Sequence, residues 1–435
     1  MINQINLTIP LTTSGKGYIH CFLWVFLMAV FIPFDLVGQK PKVLEVREGE
    51  QIKKAIEKAQ PGDTIVVYPG IYREHEIIVQ KSLTLIGIDF PVVDSEENGD
   101  IFLIAANSTT VTGFELINTG HSNLNDHSAI KVFDSNHLRV ENNRILNSFF
   151  GIHISNSKNI TIRDCFLEAY ELSSQRTGNG IHLWKSDTAL IANNFIAGHR
   201  DGIYLEFATE VETSHNIVEK NNRYGLHFMF SHDNSYYHNE FRNNDAGVAV
   251  MYTRNVVMEY NLFEDNLGSG SYGVLLKDIS NSTIRYNRIV NNSIGIYMDG
   301  SNNNTFEHNL FRRNGYAIKL LASNDGNYLG KNNFIGNTFD ISTSGMIITN
   351  ELHKNYWDKY EGYDLDRDGY GDVPFRPINM YSTIVERIPS AIILWRSFMI
   401  TLLDRAERVI PAITPENMKD EKPKMRPHDI DFKLE

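Results

Sequence analysis

The feature that most restricts this chain is a phrase that recurs about every 22 residues. It runs glycine, aliphatic, variable, apolar, and reaches an asparagine fourteen positions after the glycine. Examples are GIHLWKSDTALIANN, GIYLEFATEVETSHN, GLHFMFSHDNSYYHN, GVAVMYTRNVVMEYN and GIYMDGSNNNTFEHN. The glycines at 180, 202, 225, 247, 273 and 295 are separated by 22, 23, 22, 26 and 22 residues, the longest step carrying the insertion NLGSGSYG. TPR, ankyrin and HEAT units need roughly 33 residues or more, and the Leu-x-x-Leu-x-Leu phrase of leucine-rich repeats is absent. Each unit holds short alternating runs separated by Asn, Asp, Ser and Gly, which is the pattern of strands with one face inward. The sequence therefore predicts an all-β fold: a right-handed, three-stranded parallel β-helix, with coils stacked about 4.8 Å apart.

Stacking explains the asparagines. At fourteen residues past the glycine they fall at Asn194, Asn216, Asn239, Asn261, Asn287 and Asn309. Equivalent positions superpose from coil to coil, so each amide can donate to one neighbour and accept from the other. Cys165 takes the same slot in its coil and reads as a buried substitute.

A solenoid needs covers at both ends. Ile52, Ala55, Ile56 and Ala59 follow helical spacing and stop at Pro61-Gly62, giving an N-terminal helical cap. Segments are expected at 1–38 (a signal peptide, with Lys16 before an apolar run from Tyr18 to Phe34), 43–350 (the β-helix and its cap) and 351–388 (a C-terminal cap with an Asp-rich loop). An amphipathic docking helix is expected over 389–412 and a flexible tail over 413–435. Of two cysteines, Cys21 lies in the leader, so export would leave Cys165 alone. A net charge of −12 argues against nucleic acid as a partner.

Two places could carry chemistry. Asp364, Asp366, Asp368, Gly369 and Asp372 have EF-hand spacing, but Phe375 stands where a bidentate Glu belongs. The run could hold calcium, or it is an Asp-rich turn bonding its own backbone, and the turn is preferred. The second place is an outward face. With the aliphatic residues one and three past each glycine inside, residues two and four past it project out. His182 and His227 lie in the first of these columns; Trp184, Glu206, Met229 and Met251 lie in the second, and His232 follows at the next turn. His227 with Met229 and Met251 is a donor set suited to transient Cu(I). His182, Glu206 and His232 could join it. The same Met and aromatic side chains, Trp184 included, could instead form a patch for a partner. Trp395, Phe398 and Leu402 of the C-terminal helix are candidates for docking at a membrane partner, or the helix packs on the solenoid's own end. A carbohydrate-active β-helix enzyme, a uronan epimerase or lyase, is the alternative; Ser231-His232-Asp233 is its nearest motif, and no outward carboxylate pair with a basic partner is evident.

PGDTIVVYPGIY, RYGLHFMFSHDN, AGVAVMYTRNV, NYWDKYEGYDLDRDGYGDVPFRP and LLDRAERVIPAITPE together resemble the NosD family over nearly all of residues 43 to 415. The resemblance implies a periplasmic, non-enzymatic accessory protein with no permanently bound cofactor. It implies as partners the permease and ATPase of an ABC transporter, a copper chaperone lipoprotein and nitrous oxide reductase, whose copper-sulfide centre the system helps assemble.

Overall fold

A computed structural model describes residues 40–122, 124–170, 177–321, 323–344, 349–395, 397–409 and 418–432. The expected leader lies outside the described residues. From Val43 onward the chain winds as a right-handed β-solenoid of about 13 turns. Among the described residues its three parallel sheets hold 14, 13 and 12 strands. The first sheet begins at Val43–Val46 and the second at Ile71–Arg73. The third begins at Ile77–Val79, ends at Phe339–Thr343 and carries the glycine phrase. Parallel pairing is in register, one coil on the next: Ile203 faces Leu226, and Leu226 faces Val248.

The interior is a set of stacked columns. Ile152, Ile181, Ile203, Leu226, Val248, Val274, Ile296 and Ile318 form one of them, all buried. The phrase glycine has a packing cause. A Cβ at Gly202 would sit 2.4 Å from Val218 Cγ1 and 2.7 Å from the Gly225 carbonyl, so nothing larger fits there. The glycine therefore points at the core, and the residue before it points out.

The asparagines form the expected ladder. Nδ2 of Asn194 donates to Oδ1 of Asn216 at 2.9 Å, and the chain of bonds continues through Asn239, Asn261, Asn287, Asn309, Asn332 and Asn355 at 2.9–3.1 Å. The same oxygens also accept the backbone N–H of the preceding rung, as Oδ1 of Asn216 does from Asn194. Cys165 begins the series, its N–H donating to Asn194 Oδ1 at 3.0 Å, and burial pushes its thiol up to about 12. A second ladder runs Asn221, Asn244, Asn266, Asn292, Asn314, Asn337 on the next turn.

The N-terminal cap is as expected: helix α1, Ile52–Lys58, buries Ile52, Ala55 and Ile56 over the first coil. The C-terminal end differs in three ways. First, the solenoid continues past 350, with Glu351–His353 and Tyr356–Trp357 as its last strands. Secondly, the expected single helix over 389–412 is broken. Helix α2 covers Met380–Arg387, a 3-10 segment covers Pro389–Leu394, and helix α3 covers Phe398–Val409. Pro389 cannot donate into a preceding turn, and Trp395 is extended (ψ 131°), so the chain restarts twice. Thirdly, of the tail expected to be flexible over 413–435, the described residues 418–432 lie on the solenoid. Asp420, fully buried, accepts from Asn355 N at 2.8 Å, Asn355 Nδ2 at 3.2 Å and Trp357 Nε1 at 3.1 Å. It thus ends the ladder with a carboxylate. Beyond it, His428 and Asn333 exchange two backbone–amide bonds at 2.9 Å.

Candidate functional site

The third sheet's outer surface is where the sequence placed its outward columns. One of them is a stack of rings, one per coil. His153 and His182 lie 4.8 Å apart at 3°, His182 and Tyr204 4.6 Å apart, and Tyr204 and His227 4.4 Å apart at 11°. Phe150 flanks the lower end, 5.5 Å from His153 and 6.1 Å from His182. Flat rings on a parallel register stack because successive Cα partners sit one strand spacing apart. This packing corrects one expectation. The histidines point outward but are not exposed: His153, His182 and His227 retain 9%, 8% and 5% of their surface. Burial takes the His153 imidazole down to about 3.

Around His227 the stack acquires charge. Asp201, fully buried on the outer side, accepts from Arg223 Nε at 2.8 Å and from Arg223 Nη2, and its Oδ2 lies 3.2 Å from His227 Nδ1. Arg223 Nη2 is also 3.3 Å from that nitrogen, and Tyr224 meets the imidazole edge-on at 4.9 Å. Burial opposes the charge on Asp201, but the bonds from His227 and Arg223 outweigh it and hold the carboxyl below its ordinary range. Burial also lowers the His227 imidazole, against the pull of Asp201. Burial raises the Tyr204 phenol to about 12. His227 Nε2 is buried with no hydrogen-bond partner.

Met229 ends the same strand, Tyr224–Met229, and is the register partner of Met251; both are half-buried. Glu206 is Met229's partner on the other side. The structure therefore brings His227, Met229, Met251 and Glu206 onto one patch of adjacent coils. His182 is not part of it, because the Tyr204 ring fills the space between the two imidazoles. His182 Nε2 instead lies 3.5 Å from Glu206, and this contact lowers the Glu206 carboxyl. His232 is also excluded: it sits in the turn after the strand, its Nδ1 accepting from Arg254 N at 3.3 Å. Trp184 faces Glu206 across the register, with the Lys185 ammonium 4.4 Å from its ring. A buried imidazole nitrogen with no hydrogen-bond partner, on the strand that ends in one of two register-paired thioethers, is a donor set that suits a soft, low-charge cation better than a hard one.

Sequence reasoning missed Asp201, Arg223 and Tyr224. Strict alternation placed the glycine itself outward, which hid the column before it. That column reads Phe150, Asn179, Asp201, Tyr224, Ala246, Tyr272, Ile294 and Tyr316. Its aromatic content is the signal that could have revealed it. A rim was missed too: Phe207, Phe230 and Tyr252, stacked at 5.2 and 5.0 Å, directly follow Glu206, Met229 and Met251.

Further along the same sheet surface, the C-terminal helices are seated on Tyr316 and Phe339. Trp395, expected to meet a partner, packs instead at 5.6 Å from Phe339 and 5.9 Å from Tyr381. Phe398 and Leu402 are exposed, as are Ile393 and Met399. In the Asp-rich loop, carboxylate oxygens of Asp364, Asp366 and Asp368 lie within 4.8 Å of one another. They bond their own loop: Asp364 accepts from Gly369 N at 2.9 Å, and Asp368 from Tyr370 N at 2.8 Å. Asp372 stands outside that group and accepts from Leu365 N at 2.7 Å. Among the described residues, no helix is long and apolar enough to cross a membrane.

A family model described as "Periplasmic copper-binding protein (NosD)" matches residues 168–363, and one described as "Right handed beta helix region" matches 100–232. A protein of Stutzerimonas stutzeri named "Probable ABC transporter binding protein NosD" is 27% identical over 355 residues, spanning 77% of this chain and 80% of its own. One of the same name from Pseudomonas aeruginosa is 28% identical over 353 residues, spanning 77% and 82%. Among solved structures, the A-module of the Azotobacter vinelandii mannuronan C-5 epimerase AlgE6 superposes with a TM-score of 0.59 at 14% identity, covering 69% of this chain and 94% of that module. At that identity the likeness shows the fold alone.

Proposed function

We propose that this chain is a member of the NosD family, a reading supported by the match over 168–363 and the two relatives, and that it is an exported accessory protein that handles copper for the maturation of a metalloenzyme. In this reading it works in the periplasm beside the permease and ATPase of an ABC transporter. It takes Cu(I) from a chaperone lipoprotein and helps assemble the copper-sulfide centre of nitrous oxide reductase. Copper is cargo here and not a resident cofactor.

The observation that carries the reading is the patch at His227, Met229 and Met251. The register sets the two methionines side by side, and the imidazole two residues before Met229 has a nitrogen without a partner. Thioethers and a neutral imidazole favour Cu(I) over the hard cations. Phe207, Phe230 and Tyr252 would give a chaperone an aromatic rim to rest on. The exposed Ile393, Phe398, Met399 and Leu402 would be the apolar contact with the permease.

The test is anaerobic Cu(I) titration of the mature protein against a competing chelator, beside a Met229→Ala/Met251→Ala variant. Uptake of about one equivalent by the parent and its loss in the variant is expected; negligible uptake by both would sink the copper reading. A catalytic alternative draws on the Asp201–His227 pair beside Tyr204, since a carboxylate-oriented imidazole is also an acid–base device. Epimerisation or cleavage of a uronan by the purified protein would favour it.

A further inference from the structure

Asp201 is not one of the metal donors, yet it is a fully buried charge on the sheet's outer side. One edge of the Arg223 guanidinium is directed at it, Nε to Oδ1 and Nη2 to Oδ2. Its Oδ2 also lies 3.2 Å from His227 Nδ1. An ionised carboxylate only accepts hydrogen bonds, so this contact requires the proton to be on Nδ1. The rival contact, Arg223 Nη2 at 3.3 Å from Nδ1, would need a lone pair there; but that guanidinium already donates twice to Asp201. With the proton on Nδ1, the lone pair falls on Nε2, the buried nitrogen with no partner.

We propose that Asp201, braced by Arg223, is the positioning residue of the copper patch: it fixes His227 as the Nδ1–H tautomer and so keeps the Nε2 lone pair ready for Cu(I). This rests on the copper reading above and adds to it the device that makes one imidazole a ligand in advance. No proton needs to leave when the metal arrives, because the Nδ1 proton stays in its bond to the carboxylate. A new N–Cu bond replaces one bond between Cu(I) and its carrier, with no change of oxidation state. Carboxylate partners of ligating imidazoles act in this way, fixing ring orientation and raising basicity.

Two measurements test the inference, the first on the unaltered protein. In 15N-labelled protein the His227 ring shifts should show a pyrrole-like Nδ1 and a pyridine-like Nε2. In Asp201→Asn the amide oxygen would remain with Arg223 and the NH2 would face Nδ1, which forces the proton to Nε2. Cu(I) affinity by chelator competition should then fall about 10- to 100-fold, while the circular dichroism of this near-isosteric variant stays that of the folded solenoid, its thermal midpoint lowered by the loss of the Arg223 ion pair. A wild-type protein with an Nε2–H imidazole, or equal affinity in the folded Asp201→Asn variant, overturns the inference and leaves the copper reading standing. A wild-type protein that takes up no Cu(I) overturns both. Loss of binding in Asp201→Asn together with a shifted tautomer supports it, and a merely structural role would not move the 15N shifts.

Discussion

Replacing Asp420 by alanine tests how the solenoid is closed. Its carboxylate is the acceptor for Asn355 N, Asn355 Nδ2 and Trp357 Nε1, all buried, and for Lys354 N at 3.0 Å. The alanine variant strips all four of this acceptor, although Asn355 Nδ2 keeps its bond to the Leu329 carbonyl at 2.9 Å. Asn355 N and Trp357 Nε1 are then left in a dry environment, each at a cost of about 1–3 kcal/mol. The water that can reach Lys354 relieves its N–H. A loss of about 2–6 kcal/mol at the C-terminal end follows. In a stacked fold such a loss is felt first by the adjacent coil, so it should appear as local opening before global unfolding. The assay is hydrogen exchange of the Trp357 indole and of the Asn355 amide, with Trp fluorescence in a urea titration. Trp357 is buried and stacked 4.2 Å from Phe334, so release should red-shift its emission. Asp420→Asn, which keeps one acceptor oxygen but loses the charge, should fall between the two. An alanine variant with unchanged indole exchange and less than about 1 kcal/mol lost would refute the claim that the tail terminates the ladder.

Other expectations follow from the same geometry. His199 is fully buried where the second ladder begins, and burial holds its imidazole at about 4 against an ordinary 6.5. Above pH 6.5 it is neutral whether folded or not. As pH falls the unfolded chain takes the proton first, so stability should decline from pH 6.5 to about 4 and then level. At about 1.4 kcal/mol per pH unit this approaches about 3.5 kcal/mol; His199→Asn should flatten that part of the stability–pH curve. Gly202→Ala should destabilise by about 1–3 kcal/mol in thermal melts, because its Cβ meets Val218 and the Gly225 carbonyl at under 3 Å. Trp395→Ala should expose α2 and α3 to limited proteolysis with a loss of about 3 kcal/mol, whereas Phe398→Ser, on an exposed side chain, should change the melting temperature little.

The fold was legible because the solenoid writes its period into the chain. Gly180 through Gly295 recur for a steric reason, and Asn194 through Asn309 for a hydrogen-bonding one; each repeats with the coil. The site was legible only in part. Met229 and Met251 could be aligned from the period, but the role of Asp201 could not. Its position depends on the glycine turning its missing side chain to the core, a break in alternation that spacing does not encode. The His182–His227 pairing failed for a related reason: the period places side chains in one column but does not say that Tyr204 will fill the gap. The tail was misread because composition reports solubility, and Asp420 is a polar residue whose partners lie 65 residues earlier in sequence.

That separation gives the molecule an order of completion. In a chain delivered from its N-terminus, α1 covers the first coil at once, and each new coil finds a finished template beneath it. The last rung has no such luck. Asn355 and Trp357 arrive with their donors open and stay open until residue 420 has followed. The solenoid is therefore sealed only once residue 420 is in place, and a product truncated before it would keep a raw end on which another strand could stack.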